Sequence, residues 1–153
     1  MKIGTKLKEL NFILDDNSQI TTKELLGKKL IIYFYPKDDT PGCTKEAINF
    51  SEFVEKFSEN NTIIFGVSKD TVQKHQKFIA KYDLKIKLIS DESLAICKEF
   101  ETWVEKSMYG RKYMGIERST FLFDENLKLL KSWRNVKVNG HVEEVLNFIS
   151  NQV

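Results

Sequence analysis

The stretch "KLIIYFYP" (residues 29–36) constrains this chain most, because Leu30 to Tyr35 is an unbroken apolar and aromatic run. A strand with one face in water alternates polar and apolar residues. A run without alternation, rich in β-branched and aromatic side chains, reads as a strand buried on both faces. The fold must then provide a covering layer above and below the sheet. "NTIIFGVSKD" (residues 61–70) repeats the pattern, and "IKLISD" (residues 86–91) gives a further strand.

Helical patterns separate these runs. Apolar residues recur at Cys43, Ala47, Phe50, Val54 and Phe57, which is the spacing of one helix face. "TVQKHQKFIAKYD" reads as a second amphipathic helix and "ESLAICKEFETW" as a third, with Trp103 on the apolar stripe of Phe100. "VEKSMYGRKYMGIE" reads as a loop, "RSTFLFDENLKLLKSW" as a hairpin turning at Asp124–Asn126, and "HVEEVLNFI" as a closing helix. Near the N-terminus, "FILDDNSQITTKELLGKK" reads as two short extended pieces around a turn. Strand–helix–strand–helix followed by a hairpin and a helix predicts an α/β chain: a three-layer α/β/α sandwich with a mixed central sheet. The thioredoxin-like fold has that order. At 153 residues, with no linker or repeat, residues 1–153 are expected to form one domain.

The chemistry concentrates where the first buried run ends. "YPKDDTPGC" (residues 35–43) places one of only two cysteines at a strand-to-helix junction. Thr40 suits the N-cap and Pro41 the first helical position, which puts Cys43 in the first turn. Cys43 shares a stripe with Ala47 and Phe50, so its sulfur should point inward, close to unpaired backbone N–H groups and the positive end of the helix dipole. That geometry favours a thiolate. An unperturbed thiol is only ~3 % ionised at pH 7, so ionisation alone raises the reactive fraction about thirty-fold. Fast thiol chemistry also needs donors aimed at developing charge. Asp38 and Asp39 would oppose a thiolate if close, which calls for a compensating cation. The alternative is an inert core cysteine. A dithiol motif is excluded because Glu46 stands three positions on, and a C-x3-C metal motif because Ala47 stands four on. His75, His141 and Cys97 are too scattered to suggest a metal site. Both histidines read as surface residues, His75 on the polar side of its helix and His141 opening the last one.

The run "YPKDDTPGCTKEAINF" resembles the active-site stretch of peroxiredoxins of the bacterioferritin-comigratory, or peroxiredoxin Q, type. Pro36, Thr40 and Cys43 match the pattern P-x3-T-x2-C, and "WVEKSMYGRKYMGIERSTFLFD" is similar to a later family stretch. The resemblance implies a thiol-dependent peroxidase that reduces hydrogen peroxide and organic hydroperoxides without metal or organic cofactor. In that reading Cys43 is the peroxidatic thiolate, which cycles through sulfenic acid. Thr40 orients the peroxide, Pro36 shields the sulfur, and Arg118 is the missing cation. Glu46 is read as helix support and stays outside the catalytic set. An alternative from another class is a peroxide sensor or relay that uses Cys43 to oxidise a partner protein. A binding module without catalysis is opposed by the intact set of Pro36, Thr40, Cys43 and Arg118.

The chain departs from many relatives of this type at the second cysteine. Ile48 occupies the position five residues after Cys43 where they carry a resolving cysteine, and the following helix has none. Only Cys97 remains, on an apolar stripe with Ile96 and Phe100. It reads as core, with a resolving role as the alternative. A one-cysteine cycle then needs an outside thiol: thioredoxin, glutaredoxin or glutathione. The resemblance also points to a monomer. The formal net charge of +2 comes from interspersed lysines and acids, which gives no signal for nucleic acid. No apolar stretch suggests a signal peptide or a membrane span, so a reducing, cytoplasmic setting is expected.

Overall fold

The doubly buried run forms β3 (Lys29–Phe34) at the centre of a five-stranded sheet. It pairs in parallel with β4 (Thr62–Ser68) and antiparallel with β8 (Ser119–Phe123). β5 (Lys87–Ser90) extends the sheet beyond β4, and β9 (Leu129–Trp133) extends it beyond β8. The sheet is therefore mixed, as the sequence pattern requires. The computed structural model describes residues 1–151; the last two residues of the expected domain 1–153 lie outside the described residues.

Side-chain alternation along β3 generates two cores. Leu30, Ile32 and Phe34 face one of them, and Ile31, Tyr33 and Tyr35 the other. The second core is roofed by α1 (Pro41–Glu52), α2 (Val54–Glu59), α3 (Val72–Tyr82) and α5 (His141–Ser150). The first is covered by α4 (Ala95–Glu99) and an N-terminal hairpin of β1 (Asn11–Ile13) and β2 (Gln19–Thr21). Three layers result. Gly66 in β4 is required by this packing, because a Cβ there would lie 2.7 Å from the Tyr33 ring.

Three local expectations are corrected. The helix starting near Cys43 breaks at Phe53 (φ −102°, ψ 9°), giving α1 and α2 instead of one long element. The helix expected over residues 92–103 shrinks to α4. Glu101 is left-handed (φ 58°), the Thr102 hydroxyl donates to the Cys97 carbonyl, and Trp103 begins a strand. The stretch read as a loop is a hairpin of β6 (Trp103–Met108) and β7 (Arg111–Ile116). Tyr109 and Gly110, both at positive φ, form its two-residue turn.

Candidate active site

The sheet topology brings Arg118 to Cys43. Tyr35 leaves β3 at its carboxyl end, where the loop 35–40 leads into α1. Antiparallel pairing sets Phe34 opposite Ser119, so Arg118, one residue before β8, emerges at the same end. From there its guanidinium forks. One nitrogen donates to Cys43 Sγ at 3.4 Å and another to Glu46 Oε1 at 2.7 Å. Gly42 leaves room for this approach, since a Cβ at that position would lie 3.2 Å from the guanidinium.

Cys43 occupies the first turn of α1 as the capping pattern predicts, and it is 2 % exposed. Thr40 takes the N-cap position, but its hydroxyl does not cap; it donates to the Lys37 carbonyl at 2.8 Å. Pro36 is half-buried at the start of the same loop. The two aspartates expected to oppose a thiolate are otherwise engaged. Asp39 pairs with Lys81 and accepts from the Tyr82 hydroxyl, and Asp38 is bound by Tyr35 and His75.

Glu46, read from sequence as helix support, is fully buried against Arg118. Burial pushes its carboxyl up to about 7 despite the pull of the guanidinium. Burial also opposes the charge of Arg118, but Glu46 and Cys43 hold its pKa above the usual value. Lys106, on β6, has its pKa lowered by burial and then by the charge of Arg118. Sequence signals for both exist. Glu46 lies one turn after Cys43 on the inward side, and Lys106 sits in the "WVEK" run that resembles the family.

Both histidines correct the sequence reading, for neither is at the surface. His75 is fully buried, with Nδ1 2.6 Å from Asp38 Oδ2 and Nε2 3.0 Å from the Ile89 carbonyl. His141 contacts the Thr120 hydroxyl through Nε2 at 2.8 Å, and burial with the charge of Arg118 lowers its pKa to about 4. It is therefore neutral near pH 7 and no cation for the site.

Cys97 is not brought to Cys43. It lies in the first core with Phe34 and Phe100, and Cys43 lies in the second, so the central sheet separates them. Burial, reinforced by Asp91, raises the Cys97 thiol far above its usual value. Among the described residues no group of three or more His, Cys, Asp or Glu could hold a metal ion. None of their helices is long and apolar enough to cross a membrane.

Known proteins resemble this chain over most of its length. The AhpC/TSA family model matches residues 3–132. Peroxiredoxin Bcp of Bacillus subtilis is 43 % identical over 146 residues, covering 95 % of this chain and 93 % of that protein. Peroxiredoxin Bcp of Xanthomonas campestris is 43 % identical over 138 residues, covering 90 % of this chain and 86 % of that one. The crystal structure of a cysteine-to-serine mutant of Xylella fastidiosa PrxQ superposes with a TM-score of 0.94 at 38 % identity, covering 98 % of this chain and 96 % of its own. With a thioredoxin-like sheet, a cysteine in the first turn of α1 and an arginine held against its sulfur, the chain belongs to the AhpC/TSA family, and it is a peroxiredoxin of the Bcp/PrxQ type, a thiol-dependent peroxidase.

Proposed function

We propose that Cys43 is the sulfur that reduces the peroxide and that Arg118, Thr40 and Pro36 form its working surroundings. The Cys43 thiolate attacks one peroxide oxygen. An S–O bond forms, the O–O bond breaks, and the leaving oxygen takes a proton to become water or an alcohol. Sulfur gives up two electrons and becomes sulfenic acid. The fork of Arg118 from Sγ to Glu46 carries this reading, because it points a fixed cation at the place where negative charge moves from sulfur to the departing oxygen. The Thr40 hydroxyl spends its hydrogen on the Lys37 carbonyl. Its lone pairs are then available to accept the O–H of a hydroperoxide and orient it. Pro36, which has no N–H, shields the sulfur from water.

The second half of the cycle is assigned to outside thiols, with thioredoxin, glutaredoxin or glutathione as the reductant. One thiol condenses with the sulfenic acid and releases water; a second frees Cys43 and leaves as a disulfide. Burial of Cys97 on the opposite face of the sheet supports a one-cysteine cycle. The working unit is proposed to be a cytoplasmic monomer, with residues 1–153 acting as one domain.

The test is intact mass under non-reducing conditions after one equivalent of hydrogen peroxide, with dimedone present. A dimedone adduct on Cys43 with Cys97 still a thiol is the expected result. A Cys43–Cys97 disulfide without adduct would overturn the one-cysteine cycle, and a failure of Cys43 to react would overturn its peroxidatic role. Continued turnover with added thiol separates a peroxidase from a sensor, which needs only one oxidation.

A further inference from the structure

Beside the reactive sulfur lies a buried polar network that the chemistry above does not use. It is centred on Asp38, which is five residues before Cys43 and 8 % exposed. Its Oδ1 accepts from the Tyr35 hydroxyl at 2.5 Å, its Oδ2 meets His75 Nδ1 at 2.6 Å, and its backbone N–H donates to Asp70 Oδ2 at 2.8 Å. Asp70 is held in turn by the Ser68 hydroxyl, and its carbonyl by the Ser90 hydroxyl. The other nitrogen of His75 meets the Ile89 carbonyl, which can only accept, so Nε2 carries a proton. Nδ1 faces a carboxylate oxygen, so a proton is also held between His75 and Asp38. Such a charge-assisted bond in a dry interior is strong when fully satisfied, and it ties the loop to α3, β4 and β5 together.

The position of this tie gives it a role. The residue before Asp38 is Lys37, whose carbonyl receives the Thr40 hydroxyl. Fixing Asp38 fixes that carbonyl, and the carbonyl fixes the rotamer of Thr40. Downstream, Ala47 and Phe50 anchor α1 in the core. The segment between these anchors contains Cys43. Because Cys43 is 2 % exposed, a reducing thiol can reach its sulfur only when that segment opens.

We infer that His75 and Asp38 are positioning residues for the peroxidatic site: a buried acid–imidazole latch that holds the Pro36–Thr40 loop closed for attack on peroxide and resists its opening to the reductant. This rests on the reading of Cys43 as the reactive sulfur. A latch of this kind affects the two half-reactions in opposite directions, which mere core stability does not do.

The test measures each half-reaction separately. Oxidation is followed by quenching reduced protein with dimedone at intervals after hydrogen peroxide. Reduction is followed by reacting the preformed sulfenic acid with thionitrobenzoate, a coloured aromatic thiol. In His75→Ala, oxidation should slow about ten- to a hundredfold, as expected for a misplaced reacting group. Reaction with thionitrobenzoate should speed up about tenfold, because the lost bond stabilises the closed state. Asp38→Asn keeps the shape and a neutral hydrogen bond, so it should show the same opposed changes at smaller size. It also supplies the answer if His75→Ala does not fold. Leu129→Ala, on the other face of the sheet, controls for a general loss of stability and should move neither step more than about twofold. Opposed changes in the latch variants alone support the inference. Changes in one direction, or the same profile in Leu129→Ala, would overturn it. Peroxide consumption surviving in Cys43→Ser would instead overturn the assignment of the reactive sulfur.

Discussion

Cys43 and Cys97 are alike in several ways. Each is buried, each lies within its helix's first three residues, and each packs among aromatic side chains. What differs is the polar group each sulfur meets. Cys43 faces a guanidinium at 3.4 Å, a donor that stabilises negative sulfur. Cys97 faces Asp91, whose carboxylate accepts from the backbone N–H groups of Ile96 and Cys97 and so takes up the donors at that helix start. An anion already occupies the site where a thiolate would need stabilisation. Two cysteines alike in burial and helix position thus meet charges of opposite sign, and only the one beside a cation has its thiolate favoured.

Replacing the sulfurs tests that comparison most severely. Cys43→Ser should abolish thiol-dependent peroxide consumption, leaving at most the uncatalysed background, measured by loss of hydrogen peroxide with excess reductant. Arg118→Lys keeps a positive charge but not the planar fork that bridges Sγ and Glu46. The rate constant for oxidation of Cys43 should fall about a hundredfold, as loss of one preorganised donor does elsewhere. A fall of less than about threefold would mean that charge alone suffices.

Glu46 sharpens the comparison through pH. Its folded pKa, about 7, lies above the ordinary value of 4.5, so the folded state holds a proton that the unfolded state releases. Its contribution is fully present below pH 4.5 and is lost as pH rises through about 7. His141 works oppositely: lowered from 6.5 to about 4, it contributes stability above pH 6.5 that is lost as pH falls through about 4. Glu46→Gln removes the first effect and leaves the second. Relative to the parent protein it should gain stability between about pH 5 and pH 8, by at most about 3 kcal/mol, read from denaturant midpoints at each pH. The smallest effect is expected at the other cysteine. Cys97→Ala should leave turnover within about twofold and cost on the order of 1 kcal/mol of stability from the lost sulfur contacts. A large loss of turnover would make Cys97 part of the cycle and break the contrast between the two sulfurs.

The Cys43 half of that contrast is legible in sequence because it is local. Proline after threonine starts a helix, and an apolar run before it makes a buried strand; the spacing then places Cys43 in the first turn. The histidines escape a reading along the chain because their partners are distant. His75 lies three residues before Phe78 on the buried stripe of α3, which is a signal for burial, but Asp38 is 37 residues away and no pattern announces the pair. The β6–β7 hairpin escapes it because most of its residues are exposed on both faces, which leaves no apolar alternation to detect.

Sequence alone determined the elements whose cause is short-range: the doubly buried strands, the Thr40–Pro41 start of α1 and the cysteine set into it. It also carried the family likeness. Tertiary structure alone decided which charges those elements meet. Antiparallel pairing of β3 with β8 delivers Arg118 to Cys43, and packing of α4 on the other face of the sheet puts Cys97 in the opposite core. Helix and strand periodicity acts over a few residues and can be read along the chain. The electrostatic environment of a sulfur is set within a few ångströms in space by groups far apart in sequence, and only the closed fold fixes it.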